Sequence, residues 1–212
     1  MTPKKTAYEL TAAHIIKNLE KRNMEGYYFT TKEELAKYIF EKLEKNTSVA
    51  WGGSESLLET GLLDMLKKDG SFDLIDRTIA TTPEERRQAF AKTVMADYYF
   101  MSTNAITLEG ELINIDGNGN RVAALIQGPN EVFIIAGMNK VVKDVESGFA
   151  RIKTNAVPPN CVRLNRNTPC AATGVCGDCL SPDCICNQYV VTRRSGHTGR
   201  IKVFLVGEEL GF

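Results

Sequence analysis

Histidine is nearly absent, with only His14 and His197 in 212 residues. The first falls in an expected N-terminal helix and the second in the turn Ser195-Gly196-His197-Thr198-Gly199. Histidine-based triad chemistry therefore has little to build on, and no G-x-S-x-G elbow presents a nucleophilic serine. Net charge is absent as well. The 26 basic side chains cancel the 26 acidic ones, leaving no global field for nucleic acid or an anionic membrane surface. Neither G-x-G-x-x-G nor a Walker loop occurs. No apolar run approaches the roughly 18 residues of a bilayer-spanning helix. The opening Met-Thr-Pro-Lys-Lys-Thr leads into mixed polar and apolar residues, not the apolar core of a secretion signal. These absences give the expectation of a cytoplasmic protein with neither nucleic-acid nor membrane partners.

What is present is an ordinary globular composition, 43% apolar and 25% charged, in a chain long enough for one generous domain. Apolar spacing predicts an amphipathic helix over residues 6–24, through Leu10, His14/Ile15 and Leu19. Thr31 with Glu34 forms a capping-box pattern opening a helix to about Lys45. Ser48–Trp51 reads as a strand, 55–68 as a helix and Phe72–Ile75 as a strand. Thr82-Pro83-Glu84-Glu85 opens a helix to Ala96, followed by a buried-type strand at Tyr98–Ser102. Ile106–Ile115 and Arg121–Ile126 flank Asp116-Gly117-Asn118-Gly119-Asn120 and read as a hairpin-like pair. Val132–Ala136 is a strand, Lys140–Lys153 a helix, and strands near Gln188–Thr192 and Ile201–Val206 close the chain. Strands alternating with helices at this spacing predict an α/β fold, a mostly parallel sheet with flanking helices and an antiparallel insertion. Ligands of such sheets sit beyond the carboxyl ends of the strands, here the loops at 52–56, 102–104, 116–121 and 137–140. The expected division is a helical N-terminal extension, 1–29, and an α/β domain, 30–212.

Residues 155–187 stand apart. They hold Pro158, Pro159, Pro169 and Pro182, lack periodicity, and carry all six cysteines: Cys161, Cys170, Cys176, Cys179, Cys184 and Cys186. A loop this long inside a domain needs a reason, and a metal centre supplies one. Short segments between thiolates let several converge on one zinc ion or iron–sulfur cluster. Cys176 and Cys179 have the two-residue knuckle spacing, with Cys170 before and Cys186 after. Paired zinc knuckles would repeat that spacing, whereas the second pair is Cys184-x-Cys186. An irregular set fits a cubane 4Fe-4S cluster better than zinc. A disulfide framework is the third alternative.

Three loops suit an anionic ligand. Gly52-Gly53-Ser54-Glu55-Ser56 ends a strand and opens a helix, where backbone amides attract phosphate or carboxylate, or it is a packing turn. Asp116 to Arg121 offers Asn120 and Arg121, or is a plain turn. Asn139 and Lys140 follow a buried strand, where Lys140 meets an anion or only solvent. Glu109, in Thr107-Leu108-Glu109-Gly110-Glu111, is a candidate base or nucleophile, or an exposed carboxylate.

Several segments together carry a family resemblance. In order they are Gly52-Gly53-Ser54, Ala96-Asp97, Asn104-Ala105-Ile106-Thr107, Gly117-x-Gly119-Asn120-Arg121, Gly128-Pro129 and Gly137-x-Asn139-Lys140. Thr168-Pro169-Cys170…Gly174-x-Cys176-x2-Cys179-x-Ser181-Pro182…Cys186-Asn187 completes the set. The chain resembles the LUD-domain family, associated with lactate utilisation, over about residues 30–212. The resemblance implies a fold similar to the ribose-5-phosphate isomerase, glucosamine-6-phosphate deaminase and CoA-transferase group. It implies Cys170, Cys176, Cys179 and Cys186 as the ligand quartet, with Cys184 surplus. The strand-end loops offer Gly52, Gly53, Ser54, Ser56, Asn104, Asn120, Arg121, Asn139 and Lys140 as the candidate ligand contacts. Relatives oxidise L-lactate to pyruvate in assemblies with iron–sulfur partners. The expected function is an iron–sulfur redox component for a small carboxylate or phosphorylated metabolite, working with redox partners and as a homo-oligomer. The alternatives are a non-redox isomerase or CoA-transferase-like enzyme using Glu109, or a binding or assembly subunit, each with structural zinc.

Overall fold

Thr2 opens α1 (Pro3–Lys21): its hydroxyl accepts from the Lys5 N–H, and Pro3 takes a first-turn position where no amide hydrogen is needed. The structure is a computed structural model, and it describes residues 2–212. Ala12, Ile15 and Leu19 form the buried stripe of α1, while Leu10, expected on that stripe, faces solvent. Residues 25–29, assigned by sequence to the N-terminal extension, form β1 (Glu25–Phe29), an edge strand of the main sheet.

The expected capping box at Thr31 and Glu34 is present in full and starts α2 (Lys32–Lys42). β2 (Ser48–Trp51) follows, as predicted. The helix expected over 55–68 is two, α3 (Glu55–Glu59) and α4 (Leu62–Asp69), because Gly61 sits between them at φ 71°. That left-handed conformation ends a helix and is comfortable only for glycine. β3 (Asp73–Ile75), α5 (Pro83–Val94) and β4 (Tyr98–Met101) lie near their expected places, and α5 has the second full capping box, from Thr82 and Glu85.

The hairpin expected around Asp116–Asn120 is displaced. The antiparallel pair is β5 (Ala105–Thr107) with β6 (Leu112–Asp116), turning through Leu108–Glu111, where Gly110 has φ 84°. Residues read as its second strand form α6 (Asn120–Ile126) instead. Asp116 causes the switch. One carboxylate oxygen accepts from the Gly119 N–H and the other from the Val122 N–H, satisfying amides at the start of that helix. Six residues of mixed pattern could not reveal this period.

β7 (Glu131–Gly137) is the long central strand. After it, Lys140 begins no helix. A single tight turn at Met138–Lys140 leads into β8 (Val141–Val142), and α7 (Val145–Arg151) starts at its Asp144 cap. The segment expected to be an irregular loop is helical in its first part, while 174–187, with Cys176, Cys179, Cys184 and Cys186, is irregular as expected. A π-helical turn at Ile152–Ala156 joins α7 to α8 (Val157–Arg163), and α9 (Pro169–Thr173) follows. Pro158 and Pro159 occupy the first turn of α8, where missing amide hydrogens cost nothing. β9 (Gln188–Thr192) and β10 (Ile201–Val206) complete the chain.

The main sheet has the order β1-β10-β7-β4-β2-β3, and all its pairs are parallel. The smaller sheet, β8-β5-β6-β9, contains the antiparallel insertion. The expected α/β class is therefore the observed one. One face of the main sheet packs on α1 and α6 through Ile15, Leu19, Ala124 and Leu125, and the other on α2 to α4 through Leu35, Ile39, Leu57 and Leu66. Burying each such leucine or isoleucine contributes about 1.5–3 kcal/mol. A third core joins the small sheet (Ala105, Ile113, Ile115) to Ile152, Val157, Cys161 and Cys170. The cysteine segment is thus packed onto the domain.

Candidate functional site: two adjoining cavities

Because the strands of the main sheet run the same way, the loops after β2, β3, β4 and β7 meet at one end. There they surround a cavity of about 480 Å³, with Gly53–Ser56, Arg77, Ser102, Asn104, Asp116–Asn118, Asn120, Arg121 and Lys140 in its wall. Arg163, Arg166, Pro182–Ile185, Asn187 and Phe212 close the opposite side. Five basic side chains line it against three acidic ones. Two of those acids are already engaged, Asp116 with Arg121 at 3.4 Å and Glu55 with Arg163 at 3.0 Å. The cavity is therefore cationic within an overall neutral protein, a setting that concentrates anions.

Arg121 organises the wall. Its Nη1 donates to the Ser102 carbonyl at 3.1 Å and to Asn114 Oδ1 at 2.5 Å. Its Nη2 donates to Asn104 Oδ1 at 3.0 Å and the Ile115 carbonyl at 2.9 Å, and its Nε faces Asp116. All five guanidinium hydrogens are thereby committed within the protein. Burial works against its charge and Asp116 in its favour. Arg121 supplies field and holds Asn104 and Asn114, with no donor left for a ligand. Arg151 adds to the framework, donating to the carbonyls of Asn139 at 3.0 Å and Asn104 at 2.7 Å.

Lys140 is different. Its ammonium is buried and donates to Ser56 Oγ at 2.7 Å and Ser102 Oγ at 3.0 Å. No carboxylate pairs with it among the described residues. Burial, then the nearby charges of Arg151 and Arg121, pull its pKa down to about 7.

Among the expected ligand contacts, Gly53, Ser54, Ser56, Asn104, Asn120, Arg121 and Lys140 all line this cavity. Gly52 and Asn139 do not. A Cβ at Gly52 would meet the Tyr99 hydroxyl at 2.7 Å, so its glycine serves packing. Asn139 secures the C-terminal tail, accepting from the Leu210 N–H at 3.2 Å and donating to the Leu210 and Gly211 carbonyls. Glu109 is exposed in the β5–β6 turn and lines neither cavity. Arg77, Ser102, Asp116, Arg163 and Arg166 belong to the site without having been singled out. For Arg77 and Ser102 the usable signal was their place just past β3 and β4.

A second cavity, of about 160 Å³, is lined by all six cysteines with Val157, Thr168, Gly177–Leu180, Ile185 and Tyr189. A single water needs only ~10–15 Å³, so there is room for a polynuclear group. All six thiols are free. Among the described residues, no group of three or more His, Cys, Asp or Glu side chains closes round a single ion. Burial pushes the Cys161 thiol up to about 11 and the Cys186 thiol up to about 12. The Ser181 hydroxyl, 3.4 Å from Cys179 Sγ, holds that thiol below its ordinary value. An iron–sulfur cluster is fitted by this donor set: six soft sulfurs line the space, and its one carboxylate, Asp178, is paired with Lys153 at 2.6 Å. Cys170, Cys176, Cys179 and Cys186 would hold it as thiolates. Cys184 is not set apart from them: it lines this cavity too, and with Ile185 it also lines the larger one.

The family model of the LUD domain matches residues 12–206. The chain belongs to the LUD-domain family. A crystal structure of a DUF162 family protein from Deinococcus radiodurans is similar at 16% identity with a TM-score of 0.52, over 96% of this chain and 98% of that one. That likeness is one of fold. Weaker similarities are to eIF2B delta from Chaetomium thermophilum (18% identity, TM-score 0.38, 55% of this chain and 50% of that one) and to ribose 5-phosphate isomerase A from Methanocaldococcus jannaschii (16%, 0.37, 63% and 62%). No curated protein matches the chain. No helix among the described residues is long and apolar enough to cross a membrane.

Proposed function

We propose that this LUD-domain protein binds a small anionic metabolite in its cationic cavity and exchanges electrons with it through an iron–sulfur cluster held by the neighbouring thiols. The observation that carries the reading is the shared wall: Cys184 and Ile185 line both cavities. A ligand and a redox group in the two spaces would be separated by one residue's thickness.

In this reading the loops after β2, β4 and β7 orient the ligand. Ser54, Asn120 and the open cations Arg77 and Arg166 contact its anionic groups, and Lys140 meets the end nearest Ser56 and Ser102. A carboxylate of the lactate type or a phosphorylated metabolite has the required charge. Ile115, Ile152 and Val157 supply the apolar part of the wall. Four of the cysteines release their protons on binding metal, and the bound cluster supplies one-electron transfer. Electrons leave through a redox protein partner at the exposed cysteine segment.

The test uses the full chain purified without oxygen. Visible and electron paramagnetic resonance spectra are recorded before and after adding lactate, pyruvate or inorganic phosphate. The expected result is a cluster spectrum that changes with the anion that raises the melting temperature. A spectrum indifferent to every anion that stabilises the protein would remove the electron-exchange reading.

A further inference from the structure

The hydrogen bonds at Lys140 have a defined direction. Ser56 Oγ donates its proton to the Leu210 carbonyl at 3.1 Å, and Ser102 Oγ donates its own to the Thr103 carbonyl at 3.1 Å. Each hydroxyl has one proton to give, so both must accept from Lys140 Nζ. Two amine hydrogens are thus committed to Ser56 and Ser102. The position left on the tetrahedral nitrogen belongs to the cavity that Lys140 lines. In the neutral amine that position is the lone pair.

We infer that Lys140 is a nucleophile, and that its Nζ condenses with the carbonyl carbon of an anionic aldehyde or ketone held in the larger cavity. The step balances without a redox reagent. A nitrogen–carbon bond forms, the carbon–oxygen double bond breaks, and both Nζ hydrogens leave with the carbonyl oxygen as water, giving a Schiff base. The two serine hydroxyls accept from the amine until it reacts, and can then accept from the hydrogens of the departing water. Chemistry of this kind calls for a lysine that is unprotonated near neutral pH.

The surroundings meet that requirement. The charged groups acting on Lys140 are Arg121 on α6 and Arg151 on α7, which oppose its protonation, and Glu59 on α3, which favours it more weakly. Burial is the largest influence, and with the arginines it brings the amine to about 7. The cationic wall also explains why the carbonyl compound must be an anion: its charge offsets Arg77, Arg121 and Arg166 while the amine stays neutral. The ligand class is thereby narrowed to oxo acids and phosphorylated aldehydes or ketones. The inference rests on the larger cavity being the metabolite site and is independent of the thiols.

The test is reductive trapping on the full chain. Pyruvate and dihydroxyacetone phosphate are the probes, each with sodium cyanoborohydride near neutral pH, and peptide mapping locates the adduct. The expected result is modification of Lys140 in at least roughly tenfold excess over the exposed Lys143, because a far larger fraction of Lys140 is unprotonated. Lys140→Arg should remove that adduct while its melting curve shows it folded. Should the variant not fold, the distribution of label in the unmodified sequence still decides. Label spread evenly over surface lysines, or none at Lys140 with either probe, would overturn the inference. An iron-free chain that still traps at Lys140 would support it and end the electron-exchange reading. An iron-loaded chain without the adduct would do the reverse.

Discussion

Replacing Lys140 by methionine should change how stability depends on pH, and by an amount the structure sets. The amine moves from an ordinary 10.5 to about 7 in the fold, with burial as the largest cause. Between those values the unfolded chain holds a proton that the folded chain has released, so stability rises with pH. Below the folded value both states are protonated, and the charged, buried amine costs about 5 kcal/mol relative to a neutral one. The slope is at most about 1.4 kcal/mol per pH unit, and close to 1 averaged from about pH 7.5 to 8.5. For a chain of this size, 1 kcal/mol corresponds to about 2–4 °C in melting temperature. That window avoids most of the thiol titration. Cys161 and Cys186 are raised in the fold, so above the ordinary thiol value they act in the opposite direction and lower stability as pH rises. Melting temperatures of both proteins in the same metallation state, taken across the window, give the double difference. Methionine also leaves Ser56 and Ser102 short of a donor, but that cost is independent of pH. The unmodified protein should gain about 2–4 °C on the variant per pH unit. Parallel curves would mean that Lys140 does not titrate there, and the reasoning from its burial would fail.

Arg121→Lys should destabilise by about 2–4 kcal/mol in urea unfolding, since one ammonium cannot serve Asn104, Asn114 and two carbonyls together; a loss under half a kcal/mol would show the network to be dispensable. Gly148→Ala would drive a Cβ into Ile113 Cδ1 in the third core, with an expected cost of about 1–2 kcal/mol in the same assay, and no measurable cost would mean that core is loosely packed. Asp97 accepts from the Ser48 N–H at 2.9 Å and the Ser48 hydroxyl at 2.7 Å, which hold its carboxyl below 3.8. Its contribution is present above that value and lost as pH falls through the lower folded one. Asp97→Asn should therefore show a shallower acid limb in a melting-temperature profile, and an unchanged limb would contradict it.

Much of the architecture was legible because local signals and tertiary needs agreed. Thr31 with Glu34, and Thr82 with Pro83 and Glu85, state their helix starts outright, and the β-branched runs at 132–136 and 201–206 are the buried central strands. The misread places are those where one side chain or one position within a turn decides. Asn120–Ile126 is a helix because Asp116 satisfies the amides at its start, and Pro158 and Pro159, which read as loop residues, stand in the first turn of α8, where amide hydrogens are not needed. In the site, Ser54, Asn104, Asn120 and Lys140, singled out by their positions just past strand ends, line the larger cavity. Such positions could not reveal that Arg121 spends every donor internally, which depends on how the fold gathers Ser102, Asn104, Asn114 and Ile115 round it, or that Asn139 ties down the tail through Leu210, far along the chain. Nor could spacing show that Cys184 faces both cavities.

Iron and acid-labile sulfide, measured per chain in protein purified without oxygen, test the central claim most directly. Both are expected in matching stoichiometric amounts, and both should be lost from a variant with Cys176 and Cys179 changed to serine that still melts cooperatively. A folded, colourless chain carrying zinc, or no metal at all, would contradict it.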